Sequence, residues 1–288
     1  MKIGLALGGG GVRGLAHIPV LEMLHDSGIK PSMIAGTSMG AIIGALYASG
    51  MSGREIRERI GRHLILKADT WRDIIAKKDY LLKWVTAFSA EFPRGGFLNT
   101  QGFFEYLFFE IKKRTFEALE IPLLVIAADY WTAEEIVFEA GDLLPALQAS
   151  MAVPGVFAPV SIGGRVLVDG GVVNMVPYDH LLARCDFTIA VDVSKVRSPG
   201  KHEIPGPLES VLGAFNIMQA SALAQKMKLL KPDIYVQPEI QGVRMFDFGK
   251  AEEVFLQAAP AVDLLRKQLK GVAVEQGRAG SIIKQPSR

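Results

Sequence analysis

Cysteine is almost absent from this sequence. A single one, Cys185, occurs in 288 residues, so no intramolecular disulfide can form and nothing argues for an oxidising compartment. The thiol is expected to be a buried structural group. Histidine is nearly as sparse, with His17, His25, His63, His180 and His202 scattered along the chain. They form no clustered set of the kind that holds a metal, and neither metal nor organic cofactor is expected. An excess of one charge is missing as well. The 32 basic and 30 acidic residues leave a net charge of +2, which gives no electrostatic case for a nucleic-acid partner. The first residues lack the apolar stretch of a signal peptide, so the mature chain is expected to begin at Met1 and to act in the cytoplasm.

Two charge-free stretches, 31–53 and 143–164, are long enough to be weighed as membrane spans. The first is broken by Gly36, Gly40, Gly44 and Gly50, the second by Pro145, Pro154 and Pro159. Both read better as buried elements of a globular domain.

What is present fits a folded α/β protein, with 49% hydrophobic and 22% charged residues. An apolar strand at 3–7 is followed by a glycine loop and a helical pattern over 15–25. A short strand ends near Ala35, and a helix rich in small residues runs over 39–49. Further apolar runs at 122–128, 166–168 and 187–193 read as buried strands, with helical patterns at 143–149 and 177–184 between them. Such alternation predicts a mostly parallel sheet covered on both faces, with a site beyond the strand ends. Residues 54–115 break the alternation with charged helical stretches and the aromatic run 103–109, and read as a helical insertion. Residues 196–207 read as an exposed loop, and a helix is expected over 251–269. The whole of 1–288 is taken as one domain with a variable C-terminal part at 208–288.

Three elements carry chemistry. Gly36-Thr37-Ser38-Met39-Gly40 stands between a strand and a helix, the setting of a nucleophile elbow, in which small residues on either side let the turn lift the serine hydroxyl above the sheet. Gly8-Gly9-Gly10-Gly11-Val12-Arg13-Gly14 follows the first strand. Gly9, Gly11 and Gly14 satisfy the dinucleotide spacing, but Gly36 to Ser38 stand where a Rossmann unit needs an acidic ribose ligand. The loop reads instead as a source of free amides for an oxyanion hole. Asp169-Gly170-Gly171 ends the strand at 166–168. No histidine stands at a strand end, so a carboxylate kept from full solvation is the candidate base. Asp129 and Asp192 also end apolar strands and compete on spacing alone; His17 and His180 are the histidines to test against them.

Together with Ala149-Ser150-Met151-Ala152-Val153-Pro154-Gly155-Val156-Phe157-Ala158-Pro159, these blocks resemble the patatin-like phospholipases, especially their short bacterial members. The likeness runs over about 2–193. It implies a three-layer αβα fold and a Ser-Asp dyad without histidine, which selects Asp169 as the partner of Ser38. It also implies an oxyanion hole at Gly9, Gly10 and Gly11 with Arg13, and motif roles for Gly14, Gly36, Gly40, Gly170 and Gly171. Many members carry alanine or another small residue where Gly171 stands. The function implied is hydrolysis of lipid acyl esters, of phospholipase A or lysophospholipase type, with peripheral contact to a membrane. A soluble esterase, a thioesterase or a transacylase would use the same residues, and a non-catalytic lipid-binding module is the remaining alternative.

Overall fold

A computed structural model describes residues 1–63, 111–194, 207–243, 245 and 247–282. Most of the expected insertion, including the aromatic run 103–109, and most of the loop at 196–207 lie outside the described residues.

The described strands form one eight-stranded sheet. They are β1 (Ile3–Leu7), β2 (Met33–Thr37), β3 (Leu123–Asp129), β4 (Glu135–Phe138), β5 (Val160–Ile162), β6 (Arg165–Asp169), β7 (Phe187–Val191) and β8 (Ile234–Val236), in the order β5-β6-β3-β2-β1-β7-β8 with β4 also on β3. The block from β3 to β8 is parallel. The expected mostly parallel sheet is therefore mixed, because β4, β6 and β5 join antiparallel. The cause is local. Gly163 and Gly164 both have positive φ, 58° and 79°, the backbone of a two-residue hairpin turn that only glycine adopts freely. They fold β5 directly onto β6.

Period-two alternation divides the sheet into two faces. Leu5, Leu7, Ile34, Val125, Ile189 and Val191 project into the larger core. There they meet α1 (His17–Asp26), α2 (Met39–Ala48), α3 (Gly53–His63), α4 (Leu143–Ser150) and α7 (Ala251–Ile282). The opposite face presents the smaller Ala6, Ala35 and Ala190, together with Leu124, to the segment Met175–Tyr178, to α5 (Asp179–Leu182) and to α6 (Pro207–Leu229). Three layers result, as the resemblance implied. The helix expected over 15–25 begins as a 3-10 turn, Gly11–Ala16, and becomes α-helical only at His17. Cys185 is half-buried rather than fully buried, with its sulfur against the backbone of Gly4. Among the described residues no helix is long and apolar enough to cross a membrane.

Candidate active site

The turn from β2 into α2 is tight enough to dictate its own sequence. Ser38 takes φ 54° and ψ −125°, a conformation that costs a non-glycine residue on the order of 1–3 kcal/mol and persists only where neighbours impose it. A Cβ on Gly40 would stand 2.1 Å from the carbonyl oxygen of Leu7, and one on Gly36 would stand 2.6 Å from Cα of Ala41. Neither position admits another residue without moving backbone. Two hydrogen bonds hold the turn. The Ser38 amide donates to Oγ of Ser150 at 2.8 Å, and Oγ1 of Thr37 donates to the carbonyl of Asn174 at 2.8 Å.

Asp169 reaches this turn from an unexpected direction. Its strand runs antiparallel to β3, with Asp169 opposite Ala127, and the chain then passes over β3 at Ile126, the register partner of Thr37, through the 3-10 turn Gly170–Val172. Only glycine fits the crossing, since a Cβ on Gly170 would stand 2.2 Å from the Ile126 carbonyl oxygen. The Asp169 carboxylate accepts from the amide of Gly171 at 2.7 Å and lies beside the Ser38 hydroxyl, near enough for that hydroxyl to favour its ionised form. It is 3% exposed and Ser38 is 6% exposed. Burial raises the pKa of Asp169 to about 6, against the Ser38 hydroxyl and the Gly171 amide, which lower it. The carboxyl is thus poised just below neutrality, mostly ionised at pH 7 yet basic enough to take a proton.

The glycine loop lies against the same pair, with a Cβ on Gly9 falling 3.2 Å from that of Ser38. Its amides are not equivalent. Gly8 donates to Val191, Gly9 to Met175 and Val12 to Met245, so the Gly9 amide is already engaged. Those of Gly10 and Gly11 donate to no backbone carbonyl among the described residues. Both glycines, with Arg13, line a cavity of about 30 Å³ that Ser38 and Asp169 also line. Arg13 is buried, which lowers its pKa, and the charge of Asp192 works against that shift. Gly14 packs against Met39, where a Cβ would stand 2.5 Å from Cγ.

The competing acids and histidines are engaged elsewhere. Asp129 accepts from the amides of Trp131 and Thr132 and pairs with Arg165 at 3.3 Å. Burial alone would raise its pKa, but these partners outweigh burial and lower it. Asp192 accepts from Tyr235, Gln237 and the amide of Ser194. His17 is fully buried and held neutral by that burial, with its pKa lowered to about 4; its Nε2 donates to the Gly8 carbonyl at 2.8 Å. His180 pairs with Glu135 at 2.7 Å, which raises its pKa. No histidine lines the cavity among the described residues.

Glu135, Asp179 and His180 are close enough together to suggest a cation site. An ammonium already sits there. Nζ of Lys226, from α6, donates to Asp179, to Oδ1 of Asn174 and to the Val176 carbonyl at 2.6–2.7 Å. Sequence reasoning did not single out Ser150, Met175, Gln219 or Met245 near Ser38. Ser150 was visible inside the block at 149–159 without a role attached to it, and the others come from segments with no motif.

A sequence model of the patatin-like phospholipase family matches residues 5–182, a span that includes the glycine loop, Ser38, Ser150 and Asp169. The chain belongs to the patatin-like phospholipase family. Curated relatives of this patatin-like chain include the lysophospholipase NTE1 of Candida glabrata, 31% identical over 285 residues that cover 88% of this chain and 15% of that protein. An uncharacterised NTE-family protein of Mycobacterium tuberculosis is 29% identical over 301 residues, covering 92% and 48% respectively. The chain thus spans about half, or less, of the length of these relatives. Among solved structures, VipD from Legionella pneumophila is similar over 91% of this chain and 66% of that one, with a TM-score of 0.46 and 14% identity.

Proposed function

We propose that this patatin-like protein is a serine hydrolase of lipid acyl esters, of the phospholipase A or lysophospholipase type, with Ser38 as nucleophile and Asp169 as base. The observation that carries the proposal is the pairing of a strained, nearly buried serine hydroxyl with a buried carboxylate whose pKa lies near 6. The name of the Candida glabrata relative supports the choice of a lipid ester.

In the first half-reaction Asp169 accepts the Ser38 proton as Oγ attacks the ester carbonyl carbon. Gly10 and Gly11, whose amides donate to no backbone carbonyl among the described residues, line the cavity and supply the oxyanion donors, and Arg13 adds positive charge at its wall. Collapse breaks the bond to the alcohol oxygen, and Asp169 returns the proton to that leaving oxygen. In the second half, Asp169 takes a proton from water, the hydroxide attacks the acyl-serine, and the fatty acid leaves as Ser38 is reprotonated. Ser150 has no proton to transfer in this scheme; it holds the Ser38 amide and with it the strained backbone.

The reading is tested with a lysophospholipid, a diacyl phospholipid and a p-nitrophenyl ester as substrates. Ser38→Ala should keep the fold and lose turnover of all of them. Turnover retained in that variant would remove Ser38 from the mechanism.

A further inference from the structure

Helix α6 has two faces of opposite use. Its inner side carries Phe215, Asn216 and Gln219 into the wall of the Ser38 cavity, and Leu223 into the smaller core. Its C-terminal end is pinned, because Lys226 makes three hydrogen bonds to the Asn174–Asp179 segment and lies 4.5 Å over the ring of Tyr178. The outer side is unlike an ordinary surface helix. Across 210–225 the sequence has no charged residue, yet Val211, Ala214, Met218 and Ala222 recur at the spacing of one helix face and are all exposed. Ile217 is 58% and Met218 68% exposed. The inner neighbour is the active site, and a contiguous exposed apolar face without charge marks the outer side as an interaction surface.

The cavity beneath α6 adds the second half of the argument. At about 30 Å³ it holds roughly one water molecule, whereas sites for ligands of substrate size run to roughly 300 Å³ or more. Phe215 and Gln219 are among the side chains that close it. Beyond the uncharged stretch, Lys228 and Lys231 are exposed at the C-terminal end of the same helix, placed to meet lipid phosphates beside an apolar face.

We propose that the outer face of α6 is the surface on which the protein docks to a phospholipid bilayer, and that docking draws the inner face off Ser38. Lys226 fixes one end of the helix while the half that bears Phe215 and Gln219 moves. The proposal rests on the hydrolase reading of Ser38 and adds to it where the lipid is met and what uncovers the serine.

The test uses vesicles of phosphatidylcholine and phosphatidylglycerol and the double variant Ile217→Ser, Met218→Ser. Both side chains stand in solvent, so an unchanged thermal midpoint is expected. Wild type should bind the vesicles, and the variant should bind at least about tenfold more weakly, the scale of returning one aliphatic side chain from an apolar phase to water. Turnover of a water-soluble short-chain ester measured without vesicles should be slow and the same in both. Vesicles should speed fluorophosphonate labelling of Ser38 in wild type and not in the variant. Unchanged vesicle binding by the variant overturns the docking surface. So does a wild-type oligomer that these substitutions dissociate, since the face would then be a protein contact. Vesicle binding with no rise in the labelling rate overturns the uncovering. A wild type that binds vesicles through this face but turns over no ester even with vesicles present contradicts the hydrolase reading instead, and leaves the docking surface standing.

Discussion

Ser150 is the residue on which the strained turn depends most directly. Its hydroxyl oxygen is the acceptor for the Ser38 amide, and Ser150 itself is fully buried. Ser150→Ala would leave that amide without a partner in a site closed to water, at a cost of about 1–3 kcal/mol. The expected outcome is a loss of stability of that size, measured by denaturant unfolding, together with a fall in kcat as Ser38 relaxes from φ 54°. Equal stability and turnover in the variant would mean that the turn holds itself. At this scale the sequence was legible where chemistry imposes a motif. The glycines at 36 and 40 are there because backbone lies within 2.1–2.7 Å of any Cβ, and such a constraint leaves a mark in the letters. Ser150 leaves none, since a serine 112 residues away in sequence announces nothing about what it will accept from.

The glycine loop is an element in which neighbouring amides have different tasks. Gly9 donates to Met175 and so ties the loop to the chain that leaves the Asp169 turn, whereas Gly10 and Gly11 face the cavity. Gly11 adopts φ 58°, and a Cβ there would meet the Met245 carbonyl oxygen at 2.5 Å. Gly11→Ala should therefore displace an oxyanion donor and lower kcat roughly 100-fold or more, with little change in the labelling stoichiometry of Ser38. Full kcat in that variant would take the Gly11 amide out of the reaction. The helical and strand elements with strong apolar period were readable, as β1, β2, α2 and β7 illustrate. The hairpin of β5 and β6 is signalled only by Gly163-Gly164 between two short apolar runs, at the end of a charge-free stretch whose composition marks burial more strongly than a turn. Helix α6 was beyond reach for a different reason. Its apolar residues lie on both sides, so the one-sided period that identifies a surface helix is missing.

For the whole molecule, the antiparallel return of β6 is what brings a carboxylate to the serine. The antiparallel strand carries Asp169 back along β3 from the register of Asp129 to that of Ala127, one step from Ile126, which pairs with Thr37 beside the serine. The arrangement has a global cost. The folded-state pKa of Asp169, about 6, stands above the 3.8 of an ordinary solvated aspartate, so the native protein binds this proton more tightly than the unfolded chain does. Stability from this group is complete below the unfolded pKa and is lost as pH rises through about 6, by up to about 3 kcal/mol. Activity runs the other way, because only the ionised carboxylate accepts the Ser38 proton. Asp169→Asn should accordingly be inactive and, at neutral pH, at least as stable as wild type, the pattern of a site held at the expense of the fold. The decisive measurement is kcat/KM and the thermal midpoint of wild type and Asp169→Asn, taken on the same samples from pH 5 to pH 8. The account predicts that wild-type kcat/KM rises through a midpoint near 6 while its stability declines over the same interval, and that Asp169→Asn shows neither change and almost no turnover. An Asp169→Asn protein that turns over substrate with the wild-type midpoint would contradict it.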